Sequence, residues 1–188
     1  MKKFLLMLVA SIMILGQNIH AGDNIFRLNA EIPRITSFEY ERKVSMWLPG
    51  LSGFINYGSG SFDIDGDETN ISGLNYGARY KIPFLGYISI GFGNLDIDYS
   101  YVATTTSAGV SIGNTVNVTG SISGTLIEYG NELGIGPVLV GGKLFYLMGT
   151  PDVSGTVAGQ AISDDEIDSG AATIDGLPGF SLYVGLTF

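Results

Sequence analysis

The last ten residues, "GFSLYVGLTF" (179–188), alternate between apolar and polar positions. Phe180, Leu182, Val184, Leu186 and Phe188 are apolar, whereas the positions between them are mostly small or polar. Because successive side chains of a strand point to opposite faces, this pattern predicts a β-strand with one apolar face. A strand of a soluble sandwich alternates in the same way. The segment alone therefore leaves open what its apolar face contacts.

The same alternation recurs along most of the chain, and helical periodicity is almost absent after the first 21 residues. The segment "IFRLNAEI" (25–32) also alternates, but Pro33 follows it at once, so it is a weak candidate. Six segments are clear strand candidates: 44–58, 74–82, 87–102, 116–130, 138–149 and 172–188. The pattern predicts an all-β protein built from strands of about 9 residues or more.

The alternation changes phase at two points. In "YISIGFGNLDIDYSYV" (87–102) the apolar set shifts by one position at Gly93-Asn94. A similar shift occurs at Pro49-Gly50 in "VSMWLPGLSGFINYG" (44–58). An extra residue in one strand produces such a shift, so we expect a β-bulge at each point.

The connections between the candidate strands alternate in length. The long ones are polar and cover 59–70, 103–115 and 150–170, the first and the last of them acidic, whereas the short ones cover 82–86 and 131–137. Outer-membrane barrels have long extracellular loops and short periplasmic turns. The pattern therefore predicts an antiparallel up-and-down transmembrane β-barrel with both chain termini in the periplasm.

Strand number is the weak point of this prediction. Closing a barrel around packed side chains takes about eight strands, and six are clear in the sequence. Either the N-terminal segment and the 152–175 region supply the missing strands, or one hairpin is absent.

Residues 1–21, "MKKFLLMLVASIMILGQNIHA", have the layout of a secretory signal peptide. Lys2 and Lys3 precede an apolar core, which is too short for a spanning helix of about 20 residues. We expect cleavage near Gly22, which leaves 22–188 as the barrel domain and directs it to the outer membrane.

Composition excludes several kinds of chemistry. The single histidine, His20, lies in the leader, and the chain has no cysteine. Ser-His-Asp and Cys-His catalysis, disulfides and the common zinc ligand sets are therefore excluded in the mature chain. Without Lys2 and Lys3, 7 basic residues remain beside 18 acidic ones. Nucleic acid is an improbable partner for so acidic a chain, and no cofactor is expected.

Charged residues on the small-residue faces of the strands are expected to point into the lumen. The inward set comprises Glu39, Glu41 and Lys43 on the first strand, Arg79 and Lys81 on the second, Asp96 and Asp98 on the third, and Lys143 on the fifth. Glu41 and Arg79 are expected at similar heights on adjacent strands. A salt-bridged plug is favoured over a proton or ion path, because eight-stranded barrels leave little interior space.

Two acidic segments, "DIDGDE" (63–68) and "SDDEID" (163–168), are candidates for divalent-cation contacts. Oxygen ligands suit Ca²⁺ or Mg²⁺, but Gly66 stands at the fourth position rather than the sixth of the EF-hand pattern. We expect solvated loops that repel lipopolysaccharide or bridge to it through divalent ions, and we assign no metal site.

Three stretches, "MWLPGLSG", "YKIPFLGYISIGFGNLDIDYS" and "IDG…YVGLTF", resemble the small outer-membrane β-barrel proteins of Gram-negative bacteria, broadly OmpA/OmpW-like. The similarity runs from about Val44 to Phe188. It implies an up-and-down barrel of eight or more strands and brings no catalytic residues. Phe188 looks like the C-terminal aromatic signal that such proteins present to their assembly machinery.

These observations favour a non-enzymatic integral outer-membrane protein with a structural, surface-interaction or minor solute role. Outer-membrane lipid and lipopolysaccharide are its expected surroundings. Two alternatives stay open at this point. A soluble periplasmic lipid-binding barrel would turn the apolar faces inward, and a membrane-embedded lipid-modifying enzyme would have to work with carboxylates.

Overall fold

A computed structural model of the chain describes residues 23–44, 48–64, 67–103, 113–157, 160–161 and 176–188. The described strands are β1 (Asn24–Ile32), β2 (Thr36–Lys43), β3 (Leu51–Ile64), β4 (Asp67–Ile82), β5 (Gly86–Val102), β6 (Thr115–Ile135), β7 (Val138–Val157), β8 (Gln160–Ala161) and β9 (Leu177–Thr187). None of the described residues forms a helix long and apolar enough to cross a membrane. The predicted signal peptide, residues 1–21, lies outside the described residues and stays a prediction.

Eight strands form one closed antiparallel barrel. Strands β1 to β7 follow one another as a meander, β9 pairs with β7, and β1 pairs with β9. The remaining strand, β8, has two residues and pairs antiparallel with the upper end of β7. The predicted all-β, up-and-down, eight-stranded barrel is confirmed.

The two strands that the sequence pattern left unclear are β1 and β2, at the N-terminal end of the barrel domain. The weak candidate 25–32 is β1, in which Leu28 faces Phe38 of β2 and Val184 of β9. A cis bond joins Ile32 to Pro33, and the chain then turns into β2. Pro33 thus ends β1 instead of preventing it, and the N-terminal segment closes the ring.

The barrel has two unlike ends. We call the end with Asn24, Thr187 and the connections 44–50, 83–85 and 136–137 the lower end. The opposite, upper end carries the connection 33–35 and the connections from β3 to β4, β5 to β6 and β7 to β9. Both termini of the described barrel therefore lie at the end with short connections.

Around the lower half, large apolar side chains point outward from all eight strands. This outer belt includes Phe26, Leu28, Phe38, Tyr40, Ile55, Tyr57, Tyr76, Tyr80, Ile88, Ile90, Phe92, Ile127, Tyr129, Val140, Leu144, Tyr146, Phe180, Leu182, Val184 and Leu186, all of them exposed. Their neighbours in sequence point into the lumen. The arrangement is that of a membrane barrel, in which the lipid-facing residues are apolar.

Strands β6 and β7 have 21 and 20 residues, about twice the 9 to 11 that a bilayer crossing needs. Above the belt the two faces exchange character. On β6, Ile127 and Tyr129 point outward in the belt, whereas Thr125 and Ser123 point outward above it. Apolar side chains fill the interior there, in one buried cluster that begins beside Arg79 at Phe54 and continues upward. It comprises Phe54, Ile71, Leu95, Ile122, Leu126, Phe145 and Leu147.

This exchange explains the phase shift at Gly93-Asn94, and the expected β-bulge there is wrong. Pairing of β5 with β4 and with β6 runs through both residues without an inserted position. Ile88 to Phe92 contribute outward apolar residues in the belt, and Leu95 contributes an inward one above it. The second expected bulge, at Pro49-Gly50, is also wrong. Those residues form the turn between β2 and β3, with Gly50 at φ 93°.

The expected strict alternation of long and short connections holds only in part. The acidic segment 59–70 belongs mostly to β3 and β4, which pair as far as Ile64 and Asp67. Connection 33–35 is short although it lies at the upper end. Above the belt the strands remain paired through their backbones although their outward side chains are polar. The polar residues of segment 59–70 therefore continue β3 and β4.

Candidate functional site

Eight charged side chains meet in the lower half of the lumen, and we call them the lumen network. They are Arg27 on β1, Glu39 and Glu41 on β2, Arg79 and Lys81 on β4, Glu128 and Glu132 on β6, and Lys143 on β7. All are buried except Lys81, whose side chain is 26% exposed. Because the network holds equal numbers of cations and anions, it is neutral as a whole.

Arg79 lies at the centre of the network and contacts three carboxylates. Its Nη1 donates to Glu39 Oε1 at 2.5 Å and to Glu41 Oε2 at 2.8 Å, and its Nη2 donates to Glu128 Oε2 at 2.8 Å. Its Nε donates to Ser89 Oγ at 2.9 Å. Every nitrogen of the guanidinium therefore has a partner, which is the condition for burying a charge at acceptable cost.

Aromatic rings enclose the two buried guanidinium groups. The Arg79 guanidinium carbon lies 4.1 Å from the centre of the Tyr87 ring and 4.7 Å from that of Phe54. The Arg27 guanidinium carbon lies 5.3 Å from the centre of the Tyr183 ring. These cation–π contacts restrict the orientation of both arginines in the lumen.

Arg27 links β1 to strands on both sides of the barrel interior. Its Nη1 lies 2.8 Å from Glu39 Oε1 and 2.7 Å from Glu41 Oε2, and its Nη2 lies 2.7 Å from Glu132 Oε2. Glu132 also accepts a hydrogen bond from the Tyr183 hydroxyl at 3.2 Å. The contact spans the interior, since Arg27 and Glu132 come from strands that are not paired.

The two lysines complete the network at different heights. Lys143 Nζ donates to Glu39 Oε2 at 2.7 Å and to Glu128 Oε1 at 2.8 Å. Lys81, closer to the lower end, donates to Glu132 Oε1 at 2.6 Å. Each of these carboxylates contacts at least two cations, so the groups form one connected set instead of separate pairs.

A second, smaller ionic group lies above the network. Arg34, from the connection between β1 and β2, is buried and donates to the Glu31 carboxylate and to the Gly73 carbonyl oxygen, the latter at 3.1 Å. Glu31 also accepts from Ser37 Oγ at 2.9 Å. A Cβ added at Gly58 would lie 3.2 Å from Arg34 Cδ, and one at Gly73 would lie 3.3 Å from it. Glycine at both positions leaves room for the arginine to fold inward.

The structure brings five of the residues expected in the lumen into the network: Glu39, Glu41, Arg79, Lys81 and Lys143. Glu41 and Arg79 form the expected ion pair at 2.8 Å, but the expected adjacency of their strands is wrong, because β3 lies between β2 and β4. Lys43 instead lies at the lower rim, where its Nζ is 3.2 Å from Asp23 Oδ1 and both side chains are largely exposed.

Asp96 and Asp98 lie on the outer face of β5, which corrects their expected inward placement. Asp96 pairs with Ser72 and Asp98 pairs with Asn70 on the outward face of β4, whereas the intervening Leu95 belongs to the buried cluster. The physical reason is the exchange of faces above the belt. The sequence-based expectation places the apolar set outward along the whole strand, but at this height it faces inward.

Sequence reasoning missed five buried charged residues: Arg27, Glu31, Arg34, Glu128 and Glu132. A signal was present for four of them. Arg27 and Glu31 alternate with apolar positions of β1, and Glu128 and Glu132 alternate with apolar positions in "LIEYGNELGI". Nothing comparable marks Arg34, which lies in a turn and reaches the interior only because β1 and β2 end below the longer strands.

Phe188 and several tyrosines occupy the ends of the outer belt. Phe188 exchanges two backbone hydrogen bonds with Asn24, at 3.1 and 3.2 Å, and its exposed ring points outward at the lower end. Tyr57 and Tyr80 also point outward, whereas Tyr87 is buried in the lumen. The assembly role of Phe188 stays a prediction.

Metal ligands do not cluster in the part of the chain that the structure describes: it holds no group of three or more His, Cys, Asp or Glu side chains suited to a metal ion. Of the first acidic segment, Asp63, Asp67 and Glu68 lie at the tip of the β3–β4 hairpin, and Asp65 lies outside the described residues. The second acidic segment, 163–168, lies wholly outside them, so its proposed cation contacts stay untested.

Comparison with known proteins yields a structural match. No protein-family model matches the chain, and no curated protein matches its sequence. Among solved structures, the crystal structure of Acinetobacter baumannii CarO matches with a TM-score of 0.52, covering 92% of this chain and 100% of that one. The two share the barrel fold. At 13% sequence identity, the likeness to CarO extends to the fold alone.

Proposed function

We propose that this chain is an integral outer-membrane β-barrel without catalytic activity, with a blocked lumen and an acidic, surface-exposed upper half. Its role would be structural or surface-interacting. The observation that carries this proposal is the outer apolar belt, which surrounds a lumen filled with paired charges. A barrel that is surrounded by lipid needs apolar side chains on its outside and needs its polar groups to be paired inside.

The exposed apolar surface argues for lipid as the surrounding medium. In soluble monomers the largest apolar patch covers about 300–600 Å². Here exposed Phe, Leu, Ile, Val and Tyr side chains encircle the barrel on all eight strands. A soluble lipid-binding barrel would place its apolar side chains inward, but the lumen at belt height holds the ionic network instead. The soluble alternative is therefore disfavoured.

Charge distribution supports an orientation with the upper end outside the cell. The seven basic residues of 22–188 lie in β1, β2, β4 and β7 and in the connection between β1 and β2. They are Arg27, Arg34, Arg42, Lys43, Arg79, Lys81 and Lys143. The outer face of the upper half has only acidic charges among its described residues: Asp63, Glu68, Asp96, Asp98 and Asp152. Such a surface would approach anionic lipopolysaccharide through divalent cations. The assembly machinery of outer-membrane proteins would be a transient partner through Phe188.

An enzymatic role is the less favoured candidate. The mature chain has no imidazole or thiol, so acid–base chemistry would fall to carboxylates. In the lumen network the carboxylates of Glu39, Glu41, Glu128 and Glu132 all contact Arg or Lys at 2.5 to 2.8 Å. Those contacts hold the carboxylates as structural partners of cations.

The fold match adds independent support. CarO is an Acinetobacter outer-membrane barrel of eight strands. An outer-membrane location transferred from a fold match alone is an analogy. It agrees here with the outer belt and with the signal-peptide layout of residues 1–21.

Membrane fractionation tests the location. Expressed with its leader in a Gram-negative host, the protein is expected in the outer-membrane fraction. It should migrate faster on detergent gels when unboiled than when boiled, because the folded barrel stays compact. A soluble periplasmic protein of similar size serves as the fractionation control. Recovery in the periplasm without detergent would contradict the proposal.

Planar-bilayer recording tests the blocked lumen. We expect no stable single-channel conductance from the inserted barrel, because ions would have to displace the lumen network and then cross the buried apolar cluster above it. A porin inserted under the same conditions provides the positive control. Reproducible conductance from the purified wild type, lost when the barrel is unfolded, would support a solute role instead.

A further inference from the structure

Arg42 is an anomaly on the outer face of the lower barrel. Its sequence neighbours Glu41 and Lys43 lie at the positions of β2 that alternate toward the lumen. Arg42 and Tyr40 lie at the positions that point outward. Among the described strand residues of the belt, Arg42 is the sole charged one on the outer face. The other outward charges are the acidic residues above the belt. No ion pair of the described residues includes Arg42.

The height of Arg42 corresponds to the lower membrane boundary. It pairs in the ladder with Asn24, and Asn24 in turn exchanges backbone hydrogen bonds with Phe188, the last residue of the chain. Aromatic residues at such ends mark the interface between hydrocarbon and headgroups. The Arg42 guanidinium therefore lies at headgroup level, beside the hydrocarbon.

An apolar groove begins next to Arg42 and runs into the belt. Its lining is Tyr40, Gly53, Phe54, Ile55, Tyr76 and Gly77. Gly53 is the ladder partner of Arg42, so the groove and the cation adjoin. The Tyr40 hydroxyl donates to Asn24 Oδ1 at 2.8 Å, which holds one wall of the groove in place.

Gly53 creates the groove without any backbone requirement for glycine. A Cβ added there would meet nothing closer than Val44 Cγ1 at 3.6 Å, an ordinary contact distance, and its φ is not in the left-handed region. A larger side chain at position 53 would therefore fit the strand and occupy the groove.

We propose that Arg42 and this groove form a binding site for one anionic phospholipid of the leaflet at the lower end. The guanidinium binds the headgroup phosphate, and one acyl chain lies in the groove between Tyr40 and Tyr76. The inference rests on the proposed membrane location of the barrel. Arginine suits this task because its planar group donates two parallel hydrogen bonds to phosphate oxygens.

Charge complementarity favours a phospholipid over a second copy of the chain. On the lower half, the outward faces of the described strands present no carboxylate that a second copy could offer to Arg42. Lipopolysaccharide is disfavoured because, in the proposed orientation, it contacts the upper end of the barrel. The phosphate of an anionic phospholipid has the charge, the height and the attached acyl chain that the site requires.

Native mass spectrometry of the folded protein in detergent micelles tests the site. Phosphatidylglycerol and phosphatidylcholine with identical acyl chains are added together, and retained lipids are counted after the micelle is removed. We expect the wild type to retain one phosphatidylglycerol in preference to phosphatidylcholine. Arg42→Gln should reduce that preference about tenfold, as loss of a charge-assisted contact implies. Gly53→Leu should reduce retention of both lipids.

Lys43→Gln is the matched control. It removes one positive charge at the residue next to Arg42, from a side chain that pairs with Asp23 at the rim. It should leave lipid retention unchanged. Equal losses in Lys43→Gln and Arg42→Gln would overturn the site in favour of general charge attraction. Full retention in Gly53→Leu would overturn it in favour of an ordinary interfacial arginine.

Folding is checked separately in each variant by the shift in gel mobility on boiling. A wild-type barrel that inserts into vesicles but retains neither lipid selectively would overturn this inference alone. A wild type that does not insert at all would overturn the proposed function with it.

Discussion

Arg79→Ala is expected to lower the free energy of unfolding by about 3 to 5 kcal/mol, the cost of breaking a buried ion pair from one side. Removal of the guanidinium leaves Glu39, Glu41 and Glu128 with one fewer cation each. It also removes the ring contacts with Phe54 and Tyr87. No solvent is at hand to replace these contacts, because Arg79 is 0% exposed.

Urea titration of the refolded barrel in micelles, followed by gel mobility, measures this loss. Lys81→Ala is the control: it removes a cation from the same strand, but the Lys81 side chain is 26% exposed and its partner Glu132 keeps the contact with Arg27. Its effect should stay near or below about 1 kcal/mol. Equal, negligible effects of the two substitutions would show that β4 presents its other face to the lumen.

Val184→Arg is expected to destabilise the barrel in lipid by about 2 to 4 kcal/mol, as arginine near the bilayer midplane does. Val184 points outward near the middle of β9, between Leu28 of β1 and Val140 of β7, and is 48% exposed. In the proposed membrane location its side chain lies in the hydrocarbon, where a guanidinium would have no partner. Refolding into lipid vesicles across a urea series measures the loss.

Leu186→Arg is the depth control for this prediction. It lies on the same face of β9, two residues nearer the lower end, and arginine near an interface costs about 0 to 1 kcal/mol. Gly185, which faces the lumen between Val184 and Leu186, is unsuited as a lumen-side control. A Cβ there would lie 2.8 Å from the Phe26 carbonyl oxygen. Equal stability of Val184→Arg and wild type would mean that this face does not contact lipid.

Local alternation was sufficient to identify most strands and their two faces. Arg79 and Lys81 alternate with Tyr80 and Ile82 in the sequence. In the structure the two cations lie on the inward face of β4, and Tyr80 and Ile82 lie on its outward face. The same rule places Val184 and Leu186 on one face of β9. The rule works because side-chain direction along a strand depends only on parity, whatever surrounds the strand.

Parity does not say which face is inside, and the environment of a face can change along one strand. Leu95 and Ile97 continue the apolar pattern of β5 but have the opposite direction to Ile88 and Phe92. In the sequence this looks like an inserted residue. In the structure it marks the height at which the outside changes from apolar to polar, and Asp96 was misplaced for that reason.

The chain by itself determined an all-β barrel with alternating strands, an acidic charge balance and no imidazole or thiol chemistry in residues 22–188. Only the tertiary structure decided ring closure by β1 and β2, and with it the partners of the buried charges. Arg27 and Glu132 are 105 residues apart, and Lys143 and Glu39 are 104 apart. Such pairs form because closure brings distant strands around one narrow lumen, and a local sequence pattern contains no information about contacts across it.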